Sequence, residues 1–209
     1  MNFKLGNKKI AIFIIILILL LIAGGVFWWW ENNKKKEGII VEFEPPKNYV
    51  IRETPEGRIV ENEKTGLIFK IPDTWKVEIN EYKKGEGIVE IFSSDVSFYP
   101  NTKLPKNGCG IAISIEYKGL EETAGLINFI KEIQTNQDTE ANRNKTVIDV
   151  SYYPALKSMI FYKPEMGQGF KVEVPINNSR TYIFNTFFPS EEEKCVDEFN
   201  KFLETVEIK

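Results

Sequence analysis

The chain has no histidine anywhere in its 209 residues. That excludes Ser-His-Asp and Cys-His catalysis within the chain, and with them every zinc site built on imidazole. Cysteine is scarce too. Two residues, Cys109 and Cys195, are too few for a four-thiolate zinc site, and no C-x-x-C redox motif exists. Positive charge is not in excess. Lys4, Lys8 and Lys9 stand at the N-terminus with no acid among them, so residues 31–209 carry 24 Lys and Arg against 30 Asp and Glu, a net of -6. The cations are dispersed without a basic stripe, so a phosphate-backbone partner is not expected. Phosphate loops are missing: Gly85-Glu86-Gly87 and Gly108-Cys109-Gly110 match neither G-x-G-x-x-G nor the Walker pattern and read as turns. There is no internal repeat and no low-complexity tract.

What is present begins with an apolar run, Ile10 to Trp30, of 21 residues without a charge. As a helix it would be roughly 31 Å long, the thickness of a bilayer core. Trp28, Trp29 and Trp30 close one end, where indoles favour a lipid–water interface. A cleaved signal peptide is the competing reading, with Ala23-Gly24-Gly25 as its small residues, but its apolar region would be shorter. The sequence therefore predicts a tail at 1–9, a transmembrane helix at 10–30, a juxtamembrane linker with peripheral strands at 31–58, and an α+β domain at 59–209. Flanking lysines tie in number, and the short tail favours a cytoplasmic N-terminus with the domain extracytoplasmic. The expected partners are the lipid bilayer, through residues 10–30, and a protein of the cell envelope.

Beyond the run, hydrophobic periodicity sets the elements. Short β-prone runs occupy Gly38 to Glu44 and Tyr49 to Arg52. Strands are predicted over Leu67 to Ile71, Trp75 to Ile79 and Gly87 to Phe92, with a loop from Asp95 to Gly108. Gly110 to Tyr117 alternates cleanly: Ile111, Ile113 and Ile115 share one face, and Ala112, Ser114 and Glu116 the other. Leu120 to Ile133 reads as a helix whose apolar face is Leu126, Phe129, Ile130 and Ile133. Four more strands are expected at about 145–151, 156–163, 169–174 and 180–187, with Pro154 as one of the breaks. A last helix runs from Glu191 to about Val206, opened by the capping pair Ser190 and Glu193 and burying Cys195, Phe199 and Phe202. These elements make one mostly antiparallel sheet of about six or seven strands with helices on its faces.

Cys109 is in phase with Ile111 and Ile113, and Cys195 is on the apolar face of the last helix. The two either form a disulfide closing a loop of about 86 residues or lie buried as free thiols. No catalytic, cofactor-binding or metal-binding residue is assigned, and no cofactor is expected. Asp95, Glu116, Glu121 and Glu122 are the carboxylates nearest the sheet ends; they read as solvated surface charge, with an acid–base pair or a hard-cation site as the alternative. Tyr152, Tyr153, Phe161 and Tyr162 either line an exposed groove or split between the core and the second face.

The stretch GLIFKIPDTWKVEI at residues 66–79, with Phe69, Pro72 and Trp75, resembles the opening of the domain shared by PsbP-like and Mog1-type proteins. Over residues 59–207 that resemblance implies an α/β/α sandwich around an antiparallel sheet, used for binding or assembly and not for catalysis. The function expected from the sequence is thus a membrane-anchored extracytoplasmic binding or scaffold domain. A carboxylate- or metal-dependent surface enzyme and a small-molecule or lipid pocket protein are the alternatives.

Overall fold

The computed structural model describes residues 17–18, 20–22, 24–28, 42–82, 85–135, 142, 144–161, 167–176, 179–189 and 193–209. The chain divides into two compact units, 1–40 and 41–209, each described by itself. In the first, the described residues lie between 17 and 28, are helical, and expose Leu17, Leu20, Leu21 and Phe27. Among the described residues no helix is long and apolar enough to cross a membrane. The rest of 10–30, together with 1–9 and 31–41, lies outside the described residues. The expected transmembrane helix is corrected accordingly. With it go the bilayer partner, the single-pass topology, the extracytoplasmic placement and the membrane-anchored function.

The second unit is α+β. Its strands are β1 (Glu42–Phe43), β2 (Val50–Thr54), β3 (Gly57–Asn62), β4 (Leu67–Lys70), β5 (Lys76–Glu81), β6 (Gly87–Phe92), β7 (Ser97–Phe98), β8 (Pro105–Asn107) and β9 (Gly110–Tyr117). After helix α1 (Leu120–Thr135) come β10 (Lys145–Val150), β11 (Tyr153–Phe161), β12 (Gln168–Ile176) and β13 (Arg180–Phe187). Helix α2 (Glu193–Glu204) and β14 (Glu207–Ile208) complete it. All pairings among the described residues are antiparallel. The large sheet runs β10-β11-β12-β13-β9-β6-β5, with β1 also on β9. A second sheet runs β14-β4-β3-β2, and β7 pairs β8 inside the stretch expected to be loop.

One sheet was expected and the structure has two large ones, because β3 and β14 were not anticipated. β3 follows a tight turn in which the Thr54 hydroxyl donates to the Gly57 carbonyl at 2.7 Å. Gly57 there has φ +119°, a conformation open to glycine and strained for other residues. β14 is two residues long, and only its pairing with β4 defines it as a strand.

The faces of the large sheet follow from register. Tyr182 pairs with Ile115, Phe184 with Ile113 and Thr186 with Ile111, so the alternating isoleucines share a face with the buried side chains of β13. Val172 and Val174 extend that face across β12. Helix α2 and the second sheet cover it. Phe202 of α2 sits 5.4 Å from the Phe69 ring of β4 and 6.1 Å from the Phe184 ring of β13, centroid to centroid. The opposite face receives α1, whose Leu126, Phe129, Ile130 and Ile133 meet Val147 and Leu156. The helices therefore lie on opposite faces of the large sheet.

Cys109 and Cys195 form a disulfide with their Cα atoms 5.5 Å apart, fastening the start of β9 to the first turn of α2. Both are buried. Ser190 lies outside the described residues, and α2 stops at Glu204, leaving Val206 in the link to β14.

Glu44 is a fully buried carboxylate. Burial pushes its pKa up, but hydrogen bonds from the Tyr117 hydroxyl and the Asn48 amide, with Lys64 at 3.2 Å, outweigh burial and hold it below the usual value of 4.5.

Candidate functional site

The β10–β11 hairpin turns on two residues, Ser151 and Tyr152, with Val150 paired to Tyr153. Both have positive φ, 51° and 69°, the pattern of a type I′ turn. That turn favours Asn-Gly, because a Cβ at positive φ crowds the backbone. Here a serine and a tyrosine occupy it. The break expected at Pro154 is displaced to this turn. Pro154 is an exposed member of β11, opposite Asp149, and β11 pairs with β12 only from Leu156 onward. Its missing N–H thus removes no ladder bond on that side.

Ser151 has a reason for its place. Its Oγ accepts a hydrogen bond from the backbone N–H of Ile208 at 2.8 Å, tying the turn to β14. Tyr152 has no packing reason: it is 100% exposed, while its neighbour Tyr153 packs against the core. The tyrosine pair thus splits between solvent and core. Phe161, at the far end of β11, is 62% exposed, and Tyr162 lies outside the described residues.

Tyr152 stands at the rim of an open groove of about 740 Å³ between the hairpin, the last turn of α2 and β14. Ile148, Leu203 and Val206 give it apolar lining. Its charged lining residues are Asp149 from β10, Glu204 from α2 and Glu207 from β14, all acidic, and Asn200 adds an amide. Asp149, Glu204 and Glu207 are exposed. Among the described residues no cationic side chain lines the groove. Three carboxylates beside an exposed phenol ring suit an ammonium or guanidinium group, which the ring attracts through its face.

The carboxylates singled out from sequence are not gathered. Asp95 is an exposed loop residue whose pKa is lowered by a hydrogen bond from Ser93. Glu116 pairs with Lys118 at 3.1 Å. Lys118 also reaches Glu173 at 3.4 Å; burial opposes its charge, but the two carboxylates raise its pKa. Glu121 and Glu122 occupy the first turn of α1. Among the described residues no group of three or more His, Cys, Asp or Glu side chains is placed to hold a metal ion. Sequence reading missed the three groove carboxylates, which come from separate elements and have no telling spacing. Tyr152 was the one visible signal.

The fold defines the described second unit as an α+β domain with antiparallel sheets. No family model matches the sequence, and no curated protein matches it. A crystal structure of a protein from Bacteroides thetaiotaomicron, at 1.50 Å resolution, is similar at 14% identity and a TM-score of 0.44 over 69% of this chain. The chain spans about 45% of the length of that protein. A likeness this slight assigns neither family nor activity. The resemblance to PsbP-like and Mog1-type proteins is therefore corrected. Phe69 and Trp75 are buried core residues, and the Trp75 N–H donates to the Pro72 carbonyl at 3.1 Å to close a tight turn. Any strand–turn–strand corner with two aromatic plugs can meet those needs, so the three residues identify no family.

Proposed function

We propose that the domain is a recognition module that docks a basic, Lys- or Arg-bearing segment of a partner protein in the groove beside Tyr152. The observation that carries this reading is the tyrosine itself. A fully exposed aromatic occupies a turn position that disfavours any side chain, at the edge of a cavity whose charged residues are all acidic. Folding gains nothing from that side chain, which leaves contact with another molecule as its use. Tyrosine is enriched in protein interfaces and among the residues that carry most of their binding energy.

The test is fluorescence anisotropy with a labelled peptide of alternating lysine and serine, against the same peptide with glutamate for lysine. The lysine peptide binds, and added salt weakens it. Tyr152→Asn leaves the charge unchanged and weakens binding by about twofold to thirtyfold, the value of a cation–π contact of roughly 0.5–2 kcal/mol. Glu204→Gln with Glu207→Gln weakens it further. Equal binding by the Tyr152→Asn protein would show that the acidic surface attracts cations without a site, and the proposal would be abandoned.

A further inference from the structure

We infer that the domain self-associates through strand β10, which pairs antiparallel with β10 of a second copy about a twofold axis at Val147. β10 is an end strand of the large sheet, and among the described residues only β11 pairs with it. The ladder fixes which of its backbone groups face outward. The Met159 N–H donates to the Asn144 carbonyl at 3.0 Å, so Asn144 and, by alternation, Thr146, Ile148 and Val150 direct their backbone groups to β11. Lys145, Val147 and Asp149 direct theirs away from the sheet, where no strand receives them among the described residues. β10 carries no proline, and its pairing with β11 has no bulge. An edge row of this kind is a template for another strand.

The side chains specify which strand that is. Two copies of β10, antiparallel and centred on Val147, set Lys145 opposite Asp149 twice, Thr146 opposite Ile148 twice, and Val147 opposite itself. Opposite charges facing each other across a ladder attract, and like charges repel. Neither Lys145 nor Asp149 has an ion-pair partner within the chain among the described residues. The Lys145 ammonium lies over the Phe129 ring at 4.7 Å, and Asp149 is exposed. The other long edges lack this match. β2 set antiparallel on itself over its full length puts Arg52 against Arg52, and β5 puts Glu78 against Glu78 or Asn80. The order Lys-x-Val-x-Asp is its own complement, and that is the argument for a second copy as the occupant. The pairing does not rest on the docking proposed at Tyr152: Asp149 is one of the groove's carboxylates, and Glu204 and Glu207 take no part in the ladder.

The test is oxidative cross-linking of the full chain carrying Val147→Cys. Both native cysteines are in the disulfide, so the new thiol is the free one. A hydrogen-bonded antiparallel pair sets facing Cα atoms about 5.5 Å apart, within disulfide reach. Mild oxidation gives a linked dimer on a non-reducing gel, and Glu53→Cys on the β2 edge gives at least about tenfold less. In the Val147→Cys background, Lys145→Asp or Asp149→Lys lowers the linked fraction by about tenfold, and the two exchanges together restore it. Sedimentation of the charge variants without the cysteine reads the association itself and decides if Val147→Cys fails to fold: each single exchange lowers the mass and the double exchange recovers it. Absence of a linked dimer, equal linking through Glu53→Cys, single exchanges without effect, or no recovery in the double exchange overturns the inference.

Discussion

Replacing Tyr152 by asparagine should stabilise this domain while weakening its docking. A tyrosine at φ 69° bears the left-handed penalty of an L residue, about 1 kcal/mol or somewhat more. Asparagine enters that region several-fold more readily than most residues, so most of the penalty is relieved. The side chain lost is 100% exposed, so no buried area opposes the gain. The net expectation is a stabilisation of about 0.5–1 kcal/mol. Glycine at the same place relieves the penalty fully but gives the unfolded chain about 0.5–1 kcal/mol of extra entropy. Tyr152→Gly therefore falls between no change and a small gain. For a domain of this size, 1 kcal/mol moves Tm by roughly 2–4 °C, so Tyr152→Asn raises Tm by about 1–4 °C.

Urea unfolding followed by circular dichroism reads this directly, with Tyr153→Ala as the contrast. Tyr153 packs on the core, and its truncation should cost roughly 2 kcal/mol or more. A Tyr152→Asn protein less stable than wild type by 1 kcal/mol or more would refute the reasoning. It would mean that the exposed ring supports the fold, and the argument that it serves another molecule would fail with it.

Two further outcomes follow from the same geometry. The Cys109–Cys195 link joins residues 86 apart, and the chain-entropy model assigns such a closure roughly 4–5 kcal/mol, so replacing both cysteines by alanine should lower stability by up to that amount in calorimetry. A change below about 1 kcal/mol would show the unfolded chain to be compact already at that separation. Glu44 has a folded pKa below its ordinary 4.5, so its contribution is fully present above pH 4.5 and disappears as pH falls through the folded pKa. The stability difference between wild type and Glu44→Gln should be constant above that pH and shrink below it; a difference that grows on acidification would reverse the sign assigned to Tyr117, Asn48 and Lys64.

Much of the fold was legible because its cores are periodic. Ile111, Ile113 and Ile115 mark a strand face at period two, and Leu126, Phe129, Ile130 and Ile133 mark a helix face at period 3.6. β3 escaped notice although Pro55 and Gly57 give the turn before it a recognisable signal. Its own residues, GRIVEN, alternate weakly because Ile59 and Val60 are adjacent and both apolar, although only Val60 is fully buried. The hairpin at Ser151-Tyr152 had no signal at all, since neither residue favours positive φ, and the nearby proline drew the break to itself. The N-terminal run misled for a different reason. Hydropathy measures how far side chains prefer lipid, and it does not establish a continuous helix of sufficient length.

Apart from Tyr152, the groove leaves no mark in the sequence, for the same reason that it is prepared as a receptor. Its walls are the hairpin, the end of α2 and β14, which meet only when both sheets have formed. Once met, they are fastened to one another. The disulfide holds the first turn of α2 to β9, and Phe202 is lodged between Phe69 and Phe184. β14 pairs with β4, and its Ile208 N–H is bonded to Ser151 beside the exposed tyrosine. A site bound at each wall loses little further freedom when a ligand arrives, so more of the contact energy appears as affinity. The strained turn fits this arrangement. Hairpin and strand hold Ser151 and Tyr152 in a conformation neither residue prefers, and the ring stands at the rim of the groove.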